Sequence, residues 1–381
     1  MESTTKTINQ TISRATLALA IVAAFAISGC ESMRTGTDTA STANKGAKES
    51  QHAEVKGMSG KPDAQMQAVL DQLAALGGKP IVSLSAEEAR KQPTPADAVK
   101  ALLQSQGKST APMPVARVQD GEIPGPAGPI KARIYTPEGA GPFPVIVYYH
   151  GGGWVIANLD TYDASPRALA NAAKAIVVSS HYRQAPEHKF PAAHEDAFAA
   201  YQWVLNNAVA FNGNPNRVSV VGESAGGNLA AAVALMAREA KLPMPVHQVL
   251  VYPVANAQIG SESEQQNAEA KPLNTPMLTW FYEKYLPTPA DKNSPLIALT
   301  EVADLKGLPP ATIITAQIDP LRSEGRAYAE KLEQAGVPVD YRNYEGVTHE
   351  FFGMGAVVDK AKEAVQQAAA GILGANKVSS R

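Results

Sequence analysis

The chain has 381 residues, 45% of them hydrophobic and 18% charged, with 34 basic against 36 acidic residues and a net charge of -2. This is ordinary globular composition, enough for a sizeable core. The dispersed, balanced charge provides no face to gather phosphates, which argues against a nucleic-acid partner and for a small ligand. With Cys30 as the one cysteine, no internal disulfide can form.

At the N-terminus, Lys6 and Arg14 precede an apolar stretch from Ala15 to Ile27. It is long enough for a signal-peptide core and shorter than the roughly 20 residues of a transmembrane helix. It ends in "ISGC", and the arrangement resembles the bacterial lipoprotein signal, in which the cysteine, here Cys30, is lipidated and becomes the mature N-terminus. A plain secretory leader with an ordinary thiol is the alternative. Residues 1–29 are therefore expected to be a signal peptide and residues 30–57 a tether, since 31–56 are rich in Ser, Thr, Ala, Gly and Lys with almost no large apolar residue. As a flexible coil the tether holds the folded part on the order of 25 to 30 Å from its anchor. In lipoproteins of two-membrane bacteria, Asp after the cysteine would retain the protein at the inner membrane. Glu31 stands there instead, so the expectation is an exported protein, lipid-anchored to the cell envelope at the outer membrane.

The next segments, "DAQMQAVLDQLAALGG" and "TPADAVKALLQ", carry apolar residues at helical spacing, and the first stops at a glycine pair. From Ala132 the pattern becomes short β-rich runs: "KARIYT", "PVIVYYH", "KAIVVSS", "RVSVVG", "HQVLVYP", "ATIITA" and "VDYRNY". Alanine-rich helical segments lie between most of them, and a last helix is expected near Ala361 to Ala375. Continuous apolar strands alternating with helices predict an α/β domain with a mainly parallel sheet covered on both faces.

The run "RVSVVG" leads into "GESAGGNLAA", which places Gly222, Ser224 and Gly226 as G-x-S-x-G between a strand and a helix. There a sharp turn lifts the serine hydroxyl out at the top of a sheet. A serine hydroxyl needs a base to take its proton and a third group to orient that base. In this setting the chain order is serine, acid, histidine. Only His247 and His349 follow Ser224, and His247 precedes any plausible acid. This leaves His349, in "EGVTHEFFG". Asp319 closes the strand "ATIITAQIDPL" at the sheet edge where the serine emerges. Asp291 and Asp304 fall in loops and Asp340 in a strand, and all three fit less well.

Acyl transfer also builds an oxyanion for which donors must already be in place. The glycine triplet Gly151, Gly152 and Gly153, directly after His150 of "PVIVYYH", supplies backbone N–H groups that side chains would otherwise screen from a carbonyl oxygen. Two other stretches carry no chemistry. "QGKST" at 106–110 has Leu102 where a P-loop needs its first glycine, and "THEFF" lacks the second histidine of a zinc site. No metal or other cofactor is expected.

The blocks "HGGGW", "YRQAPEHKFPAAHEDA", "GESAGGNLAA", "DPLRSEG" and "VTHEFFG" resemble, in order, those of the bacterial hormone-sensitive-lipase-like family of α/β-hydrolases, from about Met58 to about Leu373. The resemblance implies an α/β-hydrolase fold over residues 58–375, with a helical cap from about 58–110 and 256–295, the latter including "NTPMLTWFYEKYL". It implies Ser224, Asp319 and His349 as the catalytic residues, and the N–H groups of Gly152, Gly153 and Ala225 as the oxyanion hole. His150 would orient the loop without acting as a base. Four positions depart from the usual family residues: His181, Gln184, Glu223 and Ser323. The activity implied is hydrolysis of short to medium acyl esters through a serine acyl-enzyme, with a small-molecule ester as substrate. An amide or acetyl-sugar hydrolase with the same three residues is an alternative, as is a non-catalytic ligand-binding protein on the same scaffold. The last of these would be marked by loss of one of the three.

Overall fold

A computed structural model describes residues 60–378; the expected signal peptide, Cys30 and the expected tether lie outside the described residues. Its eight strands are β1 (Arg117–Gly125), β2 (Gly128–Thr136), β3 (Phe143–Tyr149), β4 (Ile176–His181), β5 (Gly213–Glu223), β6 (Gln248–Val251), β7 (Ala311–Ile318) and β8 (Val339–Thr348). They form one sheet in the order β1-β2-β4-β3-β5-β6-β7-β8. All neighbours from β4 to β8 pair in parallel, while β2 runs antiparallel to both β1 and β4. The α/β class and the mainly parallel sheet expected from the sequence are both present.

The strand that the periodicity does not reveal is β1. Only Ile123 of its nine residues is buried, so it has no apolar run to read. Its signal is the turn: "PGPAGP" joins it to β2, and Ile123 faces Ile130 across the hairpin. A polar strand carrying a proline is what a sheet edge tolerates.

The helices are α1 (Ala64–Ala75), α2 (Ala86–Ala89), α3 (Pro95–Ser105), α4 (Ala164–Ala173), α5 (Ala192–Asn207), α6 (Ala225–Glu239), α7 (Glu262–Gln266), α8 (Thr275–Tyr285), α9 (Arg322–Gln334) and α10 (Asp359–Val378). Thr94 caps α3 through a reciprocal pairing with Asp97, and Ser85 caps α2 in the same way with Glu88. Because side chains alternate along a strand, β3 feeds two cores. Val145, Val147 and Tyr149 meet α5, α6 and α8 on one face, while Ile146 and Tyr148 meet α1, α3, α4 and α10 on the other. Each aliphatic side chain fully buried in this way contributes about 1.5–3 kcal/mol.

Residues 60–110 divide between these faces. Helices α1 and α3 belong to the core with α4 and α10. Residues 81–90 instead lie against the segment between β6 and β7, where Trp280 of α8 donates its indole N–H to the Leu84 carbonyl at 3.3 Å. Arg90 donates to the carbonyls of Val155 and Ala185, each at 2.8 Å.

Candidate active site

The turn from β5 into α6 puts Ser224 at φ 57° and ψ -120°, a backbone conformation rarely adopted by a residue with a side chain. Two bonds hold it there: its N–H donates to the Val251 carbonyl at 2.9 Å, and its own carbonyl accepts from Val254 N–H at 3.2 Å. The glycines around it are required by close approach. A Cβ on Gly226 would lie 2.0 Å from the Tyr149 carbonyl oxygen, and one on Gly222 would lie 2.0 Å from that of Gly226. The end of β3 and the start of α6 thus touch backbone to backbone.

His349 follows the last residue of β8, and Asp319 the last residue of β7. Nδ1 of His349 lies 2.7 Å from Oδ2 of Asp319, and Nε2 lies 3.0 Å from Oγ of Ser224. The carboxylate accepts, so Nδ1 carries the proton and Nε2 is free to accept from the serine hydroxyl. Asp319 is also fixed at its other oxygen, Oδ1, which accepts the Leu321 N–H at 2.9 Å. All three side chains are buried. Burial lowers the His349 pKa, but the charge and hydrogen bond of Asp319, together with the charges of Glu350 and Glu223, outweigh it, and the net shift is upward. Tyr252 covers the imidazole with ring centroids 4.4 Å apart.

The triplet loop has a different reason for each glycine. Gly152 has φ +100°, and a Cβ there would lie 2.3 Å from the Ile156 carbonyl oxygen. A Cβ on Gly153 would run into the Phe281 ring at 2.2 Å, and one on Gly151 into the Tyr162 hydroxyl at 2.2 Å. Side chains on the triplet would therefore collide with the protein before they could screen the N–H groups as expected from the sequence. The first atoms an added methyl meets belong to the protein itself, because the loop turns back on its own carbonyls and is overlaid by α8. Among the described residues, the N–H groups of Gly152, Gly153 and Ala225 have no protein acceptor.

His150 sits at 0% exposure beneath this loop. Its Nδ1 lies 2.7 Å from the Gly151 carbonyl, which can only accept, so Nδ1 holds the proton. Nε2, 3.0 Å from Nδ1 of His181, is then the acceptor of a His181 N–H. Burial, and then the His181 charge, pull His150 down to about 3, so it stays neutral as this arrangement requires.

Each of the four departures from the family residues has a partner. His181 holds His150, and Gln184 donates to the Ile156 and Ala157 carbonyls at 2.7 and 3.0 Å. Ser323 and Ser263 exchange bonds between hydroxyl and N–H. Glu223 accepts from the Tyr148 hydroxyl at 2.5 Å and from that of Tyr252.

The sequence reading passes over one residue beside this array altogether. Glu350, with φ +71°, accepts the Tyr162 hydroxyl at 2.6 Å, and its Oε1 lies 3.9 Å from Nε2 of His349. Its signal, a second carboxyl next to the histidine in "THEFF", is visible only if that motif is not dismissed along with its zinc reading. Among the described residues there is no cluster of three or more His, Cys, Asp or Glu suited to a metal ion.

The sequence pattern of the alpha/beta hydrolase fold family matches residues 146–353. Carboxylesterase NlhH of Mycobacterium tuberculosis is 43% identical over 239 residues, 62% of this chain and 75% of the relative. Ethyl acetate hydrolase of Pseudomonas putida is 35% identical over 312 residues, 80% of this chain and 96% of the relative. Among solved structures, a hyperthermophilic esterase from the archaeon Pyrobaculum calidifontis superposes with a TM-score of 0.75 at 37% identity, covering 83% of this chain and 98% of its own.

Proposed function

Because the chain belongs to the alpha/beta hydrolase fold family, we propose that it is a carboxylic ester hydrolase that forms its acyl-enzyme on Ser224. The observation that carries this reading is the unbroken line of hydrogen bonds from the Ser224 hydroxyl through His349 to Asp319. Ser224 attacks the ester carbonyl, and Nε2 of His349 takes its proton and returns it to the leaving alcohol. Asp319 fixes the imidazole tautomer and stabilises its charged form. The N–H groups of Gly152, Gly153 and Ala225 receive the oxyanion, a role supported by their lack of protein acceptors and by the backbone contact between loop and helix start. Short to medium acyl chains are favoured, since the relative named for ethyl acetate matches along nearly its whole length.

Ser224→Ala, or His349→Ala, lowers kcat by roughly 10⁴ to 10⁶ in an otherwise folded protein. A fluorophosphonate probe labels Ser224 and no other residue. Retention of substantial esterase activity by Ser224→Ala, with unchanged circular dichroism, would remove the assignment.

We further propose that Cys30 is lipidated and anchors the domain to the cell envelope, at the outer membrane. This rests on the basic, apolar and "ISGC" segments in sequence and on the polar stretch behind them. Among the described residues no helix is long and apolar enough to cross a membrane.

A further inference from the structure

Acylation and deacylation make different demands on Nε2 of His349. In the free enzyme its partner is the Ser224 hydroxyl at 3.0 Å. In the acyl-enzyme that oxygen is esterified and has no proton to give, and the proton must come from a water. A water carries two O–H groups. One points at Nε2; the other needs an acceptor, or the water is free to turn its lone pair away from the acyl carbon.

Asp319 cannot be that acceptor, because it occupies the Nδ1 side of the ring. Glu350 Oε1 lies on the Nε2 side at 3.9 Å. Two hydrogen bonds of about 2.8 Å that meet at one water span about 4 to 4.5 Å, which closely matches this gap. The same Oε1 accepts the Tyr162 hydroxyl at 2.6 Å, which fixes the carboxyl group and leaves that oxygen a second lone pair for a water. That hydroxyl occupies the space a side chain at Gly151 would fill, so the clamp on Glu350 is built into the glycine loop. The side chain remains 21% exposed, which leaves one side open to water. The backbone at Glu350, at φ +71°, is in the left-handed region that a glutamate adopts at a cost, and such a cost at a site is a pointer to use.

We propose that Glu350 positions the hydrolytic water against Nε2 of His349 during deacylation, an inference that rests on the acyl-enzyme reading above. The water oxygen attacks the acyl carbon, and one of its protons passes to Nε2. The tetrahedral intermediate collapses with cleavage of the bond from carbon to Oγ, and the Nε2 proton passes to Oγ. The products are a carboxylic acid and free Ser224. Glu350 gains and loses nothing; it accepts the hydrogen bond of the second O–H. Burial raises its pKa on balance, against the opposing pull of the His349 charge and the Tyr162 hydrogen bond.

An alcohol attacking the same acyl-enzyme has a single O–H and gives it to Nε2, so it does not need Glu350. The test is the partition of the acetyl-enzyme formed from p-nitrophenyl acetate between water and added methanol, read as the ratio of methyl acetate to acetate. This ratio is set after acylation and is independent of which step limits turnover. Glu350→Leu, which leaves no side-chain acceptor, raises it about tenfold, the value of one hydrogen bond lost to the attacking water. Glu350→Gly, which relieves the backbone and so preserves folding, raises it in the same direction. A ratio unchanged from wild type in both variants overturns the role of Glu350 and leaves Ser224 as the nucleophile. Failure of the wild-type enzyme to form any methyl acetate overturns the acyl-enzyme reading as well.

Discussion

Glu223, immediately before the nucleophile, is a fully enclosed carboxyl group held by two tyrosine hydroxyls. Burial, and then the charge of Glu350, push it up from 4.5 to about 7. Between those two values the folded protein binds a proton that the unfolded chain has released. Stability therefore falls as pH rises through this window and levels off above the folded value. Glu223→Gln, which cannot ionise, removes that slope. Comparing the unfolding free energies of wild type and variant in urea, the gap shifts in favour of the variant by about 3 kcal/mol at most between about pH 4.5 and about pH 8. Parallel stability curves for the two proteins would show that Glu223 does not titrate in this range. The same residue presses on His349, whose net upward shift requires activity to decline on the acid side as the base becomes protonated.

Among the elements, α5, α6 and α8 are joined by one histidine. Nε2 of His194 on α5 lies 2.9 Å from Oδ1 of Asn228 on α6 and 3.2 Å from the Leu296 carbonyl. The Leu296 carbonyl can only accept, so Nε2 carries the proton. Nδ1 is then the acceptor of the Tyr285 hydroxyl of α8, at 2.8 Å. Burial lowers His194 to about 4, which keeps this neutral tautomer in place near pH 7. The Tyr285 ring also stacks on Trp154, with centroids 4.4 Å apart and planes 9° apart, so α8 rests directly on the residue after the glycine triplet. Tyr285→Phe keeps the stack and leaves Nδ1 without a donor, at a cost of about 1–3 kcal/mol. Tyr285→Ala loses both and costs about 3–5 kcal/mol, as for a large aromatic ring in a core. Thermal or urea unfolding of the pair separates the two contributions. A Phe variant as stable as wild type would assign the whole effect to stacking.

For the molecule as a whole, the chemistry and the location are carried by separate stretches of chain. The hydrolytic array draws on residues 150 to 350, while the proposed anchor lies at Cys30. If the lipid holds the enzyme in place, each buried methylene contributes about 0.8 kcal/mol, and several chains give firm attachment. Cys30→Ser then abolishes palmitate labelling and moves the protein from the membrane fraction of tagged cells to the soluble one. A chain starting at Gly57 is soluble and keeps nearly full activity on water-soluble esters. Wild-type protein found free of membranes and unlabelled by palmitate would rule out the anchor without touching the esterase reading.

Much of this was legible in one dimension. Strands β3 to β7 appear as apolar runs because both faces of their sheet are covered, and burial on both sides leaves no alternation to obscure the signal, whereas β2 and β8, nearer the sheet edges, show as alternating β-formers. Ser224 could be located because a sharp turn with backbones in contact requires small residues at fixed spacing, and chain order then reduced the histidines to His349. What only the tertiary structure decided are contacts between segments far apart in sequence. It put Phe281 over Gly153 and the Tyr162 hydroxyl over Gly151, so the triplet is shaped by neighbours that no local pattern predicts. It gave His181 its place against His150, and it brought Glu350 within 3.9 Å of the reacting nitrogen. A glycine spacing is a constraint on the backbone within a few residues, and sequence records it. The orientation of a carboxyl group toward an imidazole depends on how a loop is held by a tyrosine 188 positions away, and that is determined only when the sheet assembles.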